Sequence, residues 1–257
     1  WHKFLYDIGV VPCEEPYAKR TAQGLILGPD GVKMSKSRGN VVDPNEVVDV
    51  YGADVLRTYV LFMGDYEQAA PWSESSMKGC KRFIDRIWNL QDILTEGDEF
   101  SADLESAFHK AIKKVTEDIE GLKFNTAIAA LMTLINTIYT KNSINKAELK
   151  AFLLLVNPFA PHVTEEINSV VFGTDTLLAE TKWPEFDESK CKDETIEIAV
   201  QVNGKIKARL NVPAEAEQDE VLKMCHADES VKAAIGEMNV IKEFYVKGKL
   251  VNIVVKP

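Results

Sequence analysis

The hydrophobic period of the chain changes once, near residue 195, and this change constrains the fold more than any other feature of the sequence. From Ser73, over a stretch of about 100 residues, apolar side chains return every three or four positions, the spacing that puts them on one face of an α-helix. After Glu194 they return at every second position, the spacing of a strand with one buried face. One layer architecture cannot serve both patterns, so the chain is expected to build a helical body followed by a β-rich one.

Within the helical stretch, Met77, Cys80, Phe83, Ile84, Ile87, Trp88 and Leu94 predict a first apolar stripe, closed by Gly97. Leu104, Phe108, Ala111, Ile112, Val115 and Ile119 predict a second, stopped by Gly121. Asn125 is placed to cap a third helix, with Ile128, Leu131, Leu134, Ile135 and Ile138 facing inward. Asn145 and Glu148 have the spacing of a capping box before a fourth. Asn157-Pro158 breaks that helix and Pro161 restarts it towards Phe172-Gly173. Short connections between such helices imply an antiparallel bundle.

Beyond the switch, Ile196, Ile198, Val200 and Val202 alternate with polar residues up to Asn203-Gly204, a strong hairpin signal. Ile206, Ala208, Leu210 and Val212 return along one face, and Pro213 ends the strand. Helical stretches at 218–225 and 230–235 precede a second hairpin, 240–246 and 250–255 around Lys247-Gly248. The expected domain is a small β-β-α-β-β unit.

The first 72 residues follow neither pattern for long. A short helix at 1–8 leads through a Pro-containing connection to a strand at 24–27, too short to form a sheet without further partners. Gly28-Pro29-Asp30-Gly31 is a turn and 32–40 a polar loop. Asp43-Pro44 caps and opens one helix, and another runs from Ala53 to about Phe62. The chain opens on Trp1 and its first methionine is Met34, so it is expected to be a piece of a longer protein. The domains expected are 1–72, 73–173, a linker at 174–194, and 195–257.

Composition narrows the setting. Charged residues make up 27%, an ordinary level for a globular protein, and no apolar run approaches the roughly 20 residues that span a bilayer. The opening residues lack the pattern of a signal peptide. Cys13, Cys80, Cys191 and Cys225 are widely separated, so no metal is expected, and scattered thiols suit a reducing, cytoplasmic setting. The net charge of −10 is carried before residue 190, since 190–257 hold 11 basic and 11 acidic residues. A local basic surface is therefore compatible with an acidic whole.

The chemistry is concentrated in Lys33-Met34-Ser35-Lys36-Ser37, followed by Arg38 and Gly39. Two ammonium groups and two hydroxyls on a loop suit a triphosphate, because compact cations can follow charge onto a departing pyrophosphate. Gly39 lets such a loop open and close. Lys78, Arg82 and Arg86, spaced by four, would share a helix face able to track a phosphate backbone, with Lys81 beside them and Asp85 as a competing partner. Lys205, Lys207 and Arg209 alternate along a strand and so would share one side of the sheet; Lys247 and Lys249 flank the other turn. Ordinary solvated faces would produce the same patterns. His162, just after Pro161, is expected to cap or pack, and His2, His109 and His226 have no second ligand at metal spacing. Trp88 and Trp183 are expected in the core.

The pentapeptide at 33–37 resembles the second signature motif of the class I aminoacyl-tRNA synthetases. Trp1-His2-Lys3-Phe4-Leu5-Tyr6-Asp7, Gln23-Gly24-Leu25-Ile26-Leu27-Gly28, Asn157-Pro158-Phe159-Ala160-Pro161-His162 and Val202-Asn203-Gly204-Lys205-Ile206-Lys207 are similar to leucyl members of that family, and the resemblance runs through essentially the whole chain. It implies a remnant of a Rossmann-like catalytic domain, then the bundle, then a small C-terminal α/β domain, together a multidomain α and α+β chain. It further implies Lys33 and Lys36 as pyrophosphate-stabilising residues, Ser35 and Ser37 in support, and Met34 as an apolar anchor, all serving ATP with Mg2+. The implied partners are leucine tRNA, through the bundle and the C-terminal domain, and leucine and ATP, through a catalytic half not present here, in a monomeric protein. The first signature motif of the class, His-Ile-Gly-His or a variant, is absent, so this piece is not expected to form leucyl-adenylate alone. Two other readings share these residues: a non-catalytic RNA-binding or assembly module, and the matching part of a valyl, isoleucyl or methionyl enzyme.

Overall fold

In a computed structural model of the chain the two periodicities settle into two units, Trp1–Phe186 and Asp187–Pro257. The structure describes residues 1–191, 195–213, 216–236 and 238–256, with the backbone alone at 195 and 196. The end of the expected 174–194 connection, and the side chain of Ile196, therefore lie outside the described residues.

The first unit opens with α1 (His2–Asp7) and an irregular stretch to β1 (Ile26–Leu27). After the polar loop, α2 (Pro44–Tyr51) starts where Asp43 accepts the Asn45 N–H at 2.8 Å, with proline in the first turn, and α3 (Ala53–Phe62) follows across Gly52, whose φ is +91°. The missing partner of β1 is β2 (Ala70–Pro71), paired in parallel, with Ile26 opposite Ala70. Nothing in so short and proline-bearing a segment marks it as a strand.

Ser73 caps α4 (Glu74–Trp88), whose residues Met77, Cys80, Phe83, Ile84 and Ile87 are buried as their spacing requires. Trp88 departs from expectation: it is 44% exposed. It is the last residue of α4, where the chain tightens into a 3-10 turn at Asn89–Ile93, and that turn buries Leu90. Leu94, expected in the helical stripe, lies instead in β3 (Leu94–Thr95). Next come α5 (Ala102–Glu120) and α6 (Phe124–Lys141), a helical hairpin across Gly121–Lys123. Asn125 does not cap α6. Lys123 stands at that position, and the first turn is held by buried Asp118 of α5, which accepts the Thr126 hydroxyl at 2.7 Å. That bond braces the turn from a neighbouring helix, and the Lys123 side chain makes no cap bond.

β4 (Ile144–Asn145) pairs in parallel with β3, and α7 (Lys146–Val156) begins in a complete capping box between Asn145 and Glu148. Glu148 is buried and also accepts the Ser101 N–H at 2.9 Å, so one carboxylate fixes the start of α7 and the entrance to α5. The helix stops at Asn157, and α8 (Pro161–Phe172) resumes with proline at its start. One apolar core runs through the unit, and Phe108, Phe152, Phe159, Leu131 and Ile135 are at most 2% exposed. Each such side chain contributes about 1.5–3 kcal/mol by leaving water.

The second unit is a four-stranded sheet with β5 (Thr195–Val202), β6 (Lys205–Pro213), α9 (Gln218–Ala227), α10 (Glu229–Ile235), β7 (Asn239–Val246) and β8 (Leu250–Lys256). Its spatial order is β6-β5-β8-β7, two antiparallel hairpins joined by a parallel central pair. Val200, Val202, Val251 and Ile253 face a core closed by Val221, Cys225 and Val231 of the two helices. Among the described residues no helix is long and apolar enough to cross a membrane.

Candidate functional site

The polar loop springs from the end of β1. Gly28 N–H bonds back to the Val32 carbonyl at 2.8 Å and Leu27 bridges to Lys33, so the chain reverses over residues 28–32. Gly31, at φ +72°, supplies the left-handed turn. Met34 is half-buried and packs against the core of the unit, which anchors the loop at one point. Lys36–Arg38 form a 3-10 turn that ends at Gly39, φ +65°. Lys33, Lys36, Ser37 and Arg38 are exposed, and Ser35 and Ser37 share a hydroxyl–hydroxyl bond of 2.7 Å. The loop therefore offers two lysines and a hydroxyl pair to solvent from a tethered base, an arrangement able to surround an anion.

Two residues outside the expected site, Asp30 and Asn40, organise that base. Asn40 accepts the Ser35 N–H at 2.9 Å and donates to both Asp30 oxygens at 3.2 and 3.3 Å. Asp30 in turn accepts the Val32 N–H at 3.1 Å. That N–H above all, helped by Asn40 and Arg38, holds the Asp30 carboxyl below its ordinary pKa. The Pro29-Asp30-Gly31 turn was legible, but a bond reaching ten residues along the chain was not.

The basic residues of α4 divide. Lys78 and Arg82 are exposed on one face. Arg86 is not free: it donates to Asn136 at 2.7 Å and lies 4.7 Å from the centre of the Tyr139 ring, while the Tyr139 hydroxyl donates to the Arg86 carbonyl. Lys81 is paired with Asp85.

In the second unit the expected alternation fails, because β6 carries a bulge. Val200 pairs with Ala208 but Gln201 pairs with Ile206, which leaves Lys207 as the extra residue. Lys205 is then opposite buried Val202, and Arg209 opposite Ala199 on the other side of the sheet. Lys205, Lys207 and Arg209 thus do not share one face, and Ile206, expected inward, is 56% exposed. Arg209 pairs with Glu197 at 2.8 Å, and Lys247 is 4.0 Å from Glu217. Because β5 and β8 run parallel, the Asn203-Gly204 and Lys247-Gly248 turns lie at opposite ends of the sheet. Lys205 and Lys207 are therefore separated from Lys247 and Lys249.

His162 neither caps nor packs inward: it lies in the first turn of α8, largely exposed, and its N–H and ring Nδ1 both meet Asp54. His2 bonds to the Cys13 carbonyl and His226 to Glu243. His109 is buried against Phe100. Trp183 packs against the core and donates to Thr116 at 2.8 Å. Among the described residues no three His, Cys, Asp or Glu side chains gather as a metal site.

Two family models match the chain: "tRNA synthetases class I (I, L, M and V)" over residues 8–73, and "Anticodon-binding domain of tRNA ligase" over 102–222. The leucine–tRNA ligase of Alkaliphilus oremlandii (strain OhILAs) is 50% identical over 256 residues, which is 100% of the chain and 32% of that protein. The chain is a leucine–tRNA ligase homologue that covers a fragment of the full-length enzyme. It spans about a third of the length of the curated relative it matches. The fold agrees: LeuRS of Agrobacterium radiobacter K84, solved as a ternary complex with tRNA and LeuAMS, superposes over 100% of the chain and 35% of its own length, with a TM-score of 0.65 at 30% identity. The class I assignment thus covers the stretch that contains the lysine-serine loop.

Proposed function

We propose that this chain is the part of a leucine–tRNA ligase that carries the pyrophosphate-stabilising loop and much of the tRNA-docking surface. In the parent reaction a leucine carboxylate oxygen bonds to the α-phosphorus of ATP and the bond from that phosphorus to the bridging oxygen breaks, releasing pyrophosphate; leucine then passes to the tRNA 3′ end. The observation that carries this reading is the loop itself. Lys33 and Lys36 stand exposed on a tethered arch, within a chain 50% identical to a leucine–tRNA ligase. Their ammonium groups would stabilise charge accumulating on the leaving pyrophosphate, with Ser35 and Ser37 completing the anion cradle. Mg2+ would arrive with ATP as part of the substrate. The first signature motif lies elsewhere in the parent, so residues 1–72 act only with the rest of the catalytic domain.

The tRNA surface would comprise Lys78 and Arg82 on residues 73–173, and two separate basic ends on residues 195–257. Contacts spread in this way suit recognition of folded RNA by shape and backbone. The protein would work as a cytoplasmic monomer, its two units meeting in sequence within the expected 174–194 stretch, after Phe186.

The decisive test is Lys36→Ala in the full-length enzyme, assayed by leucine-dependent ATP–pyrophosphate exchange. A loss of about 100-fold or more in kcat is expected, the scale of removing one charge-stabilising donor. An unchanged rate would leave a non-catalytic RNA-binding module as the better reading.

A further inference from the structure

We infer that Asp30 and Asn40 form a latch that positions the lysine loop for catalysis; this rests on the loop serving adenylation, as proposed above. The latch closes the arch at its base. One carboxamide does three things: it receives the Ser35 N–H at 2.9 Å, donates to the Asp30 carboxylate at 3.2 and 3.3 Å, and approaches the Lys33 carbonyl at 3.5 Å. Asp30 is itself fixed by the Val32 N–H at 3.1 Å. Backbone atoms on either side of Met34, including that of Lys33, are therefore referred to a single side chain that follows the loop.

The packing around the latch supports a built arrangement. Gly28 is buried, and a β-carbon there would lie 2.6 Å from Asp30 Oδ1 and 2.9 Å from Asn40 Nδ2. Those separations are below any van der Waals contact, so the absence of a side chain at Gly28 makes room for the Asp30–Asn40 pair. The φ of Gly28 is not in the left-handed region, so space, and not backbone freedom, is what that glycine provides.

The energetic logic is that of preorganisation. An exposed hydrogen bond adds little to global stability. A loop that delivers ammonium groups to a transition state nevertheless loses rate when its base drifts, because misplacement by about 1 Å can cost on the order of 100-fold. Asp30 and Asn40 are positioning residues and need not touch substrate.

The test exploits the pairing of a carboxylate with a carboxamide. Asn40→Asp sets two carboxylates face to face. The exchange Asp30→Asn/Asn40→Asp restores a donor–acceptor pair with the same net charge, and leaves acceptors for the Val32 and Ser35 N–H groups. In the full-length enzyme, kcat and the KM values for ATP and for leucine are measured by leucine-dependent ATP–pyrophosphate exchange, per active site counted from the adenylate burst, with Lys36→Ala alongside. Asn40→Asp is expected to lower kcat about 30-fold while moving the KM for leucine less than about twofold, and the exchange variant to recover most of that loss. Gly28→Ala should resemble Asn40→Asp. Tryptic cleavage after Lys33, Lys36 and Arg38 should accelerate in Asn40→Asp and return to the parental rate in the exchange variant, a readout of loop order that needs no chemistry. An exchange variant no better than Asn40→Asp in both assays overturns the latch, as does full kcat in Asn40→Asp. Full activity in Lys36→Ala would instead remove the adenylation role of the loop, and the positioning role with it.

Discussion

The carboxylate of Asp54, near the start of α3, caps α8: it accepts the His162 and Val163 N–H groups at 3.3 and 2.7 Å and the His162 ring Nδ1 at 2.7 Å. One turn further along α3, Arg57 donates to the carbonyls of Pro158 and Phe159. The two side chains grip the break between α7 and α8 from opposite sides of the peptide, one taking its donors and the other its acceptors. This joins the helices that follow the lysine loop to the far end of the bundle.

Removing that cap should weaken the first unit. Asp54 is only 7% exposed, so Asp54→Ala leaves two backbone donors at the start of α8 without their acceptor and returns the largely exposed His162 ring to solvent. A loss of about 2 kcal/mol is expected, read as a lower urea midpoint for this unit, with Asp54→Asn losing less because one acceptor oxygen remains.

Three basic positions of α4, Lys78, Arg82 and Arg86, should separate in behaviour. Lys78 and Arg82 face solvent, whereas Arg86 is engaged with Asn136 and Tyr139. In tRNA binding measured across a salt series, Lys78→Ala/Arg82→Ala should reduce the slope of log K against log salt by about 1–2, the number of phosphate contacts removed. Arg86→Ala should leave the slope nearly unchanged and lower the thermal midpoint instead. Equal effects on the slope from all three positions would contradict this division.

Thiol reactivity should report the two units separately. Burial pushes the Cys80 thiol up to about 11, and burial with Glu243 and Asp228 nearby does the same to Cys225, while Cys13 is exposed. At pH 8 an aromatic disulfide reagent should label Cys13 at once, and Cys80 and Cys225 only when their own units open. Both raised values mean that the folded state holds the proton more tightly than the unfolded chain. The associated stability is complete below about pH 9 and falls as pH rises towards 11. A urea titration followed by mass-resolved labelling should therefore give one midpoint for Cys80 and another for Cys225, each moving down over that pH range.

What was legible in the sequence follows the range of the interactions involved. The Asn145–Glu148 capping box, the Asp43-Pro44 helix start and the Asn203-Gly204 hairpin depend on neighbours a few residues away, and each stands as its spacing implied. Asn125 failed as a cap because α6 already begins at Phe124, with Lys123 at the cap position; the Asp118–Thr126 bond that braces its first turn comes from the preceding helix. The capping role of Asp54 gave no signal, since its partner lies 108 residues further along the chain. The Lys205–Arg209 face failed for a local reason that alternation does not encode: one extra residue, Lys207, reverses the sides that follow. For the loop, the residues bearing charge were evident, but those arranging it were not.

The parallel pairing of β5 with β8 has a consequence for how the second unit comes into being. Each hairpin can zip locally, yet neither has a core until strands about 50 residues apart meet, with Val200 beside Val251. The strand translated last of the four is also an interior one. A nascent chain interrupted at the Lys247-Gly248 turn would hold β7 with no neighbour and β5 with one open edge, a sticky intermediate instead of a slightly trimmed domain. Quality control on the ribosome would thus meet this unit as an all-or-nothing product.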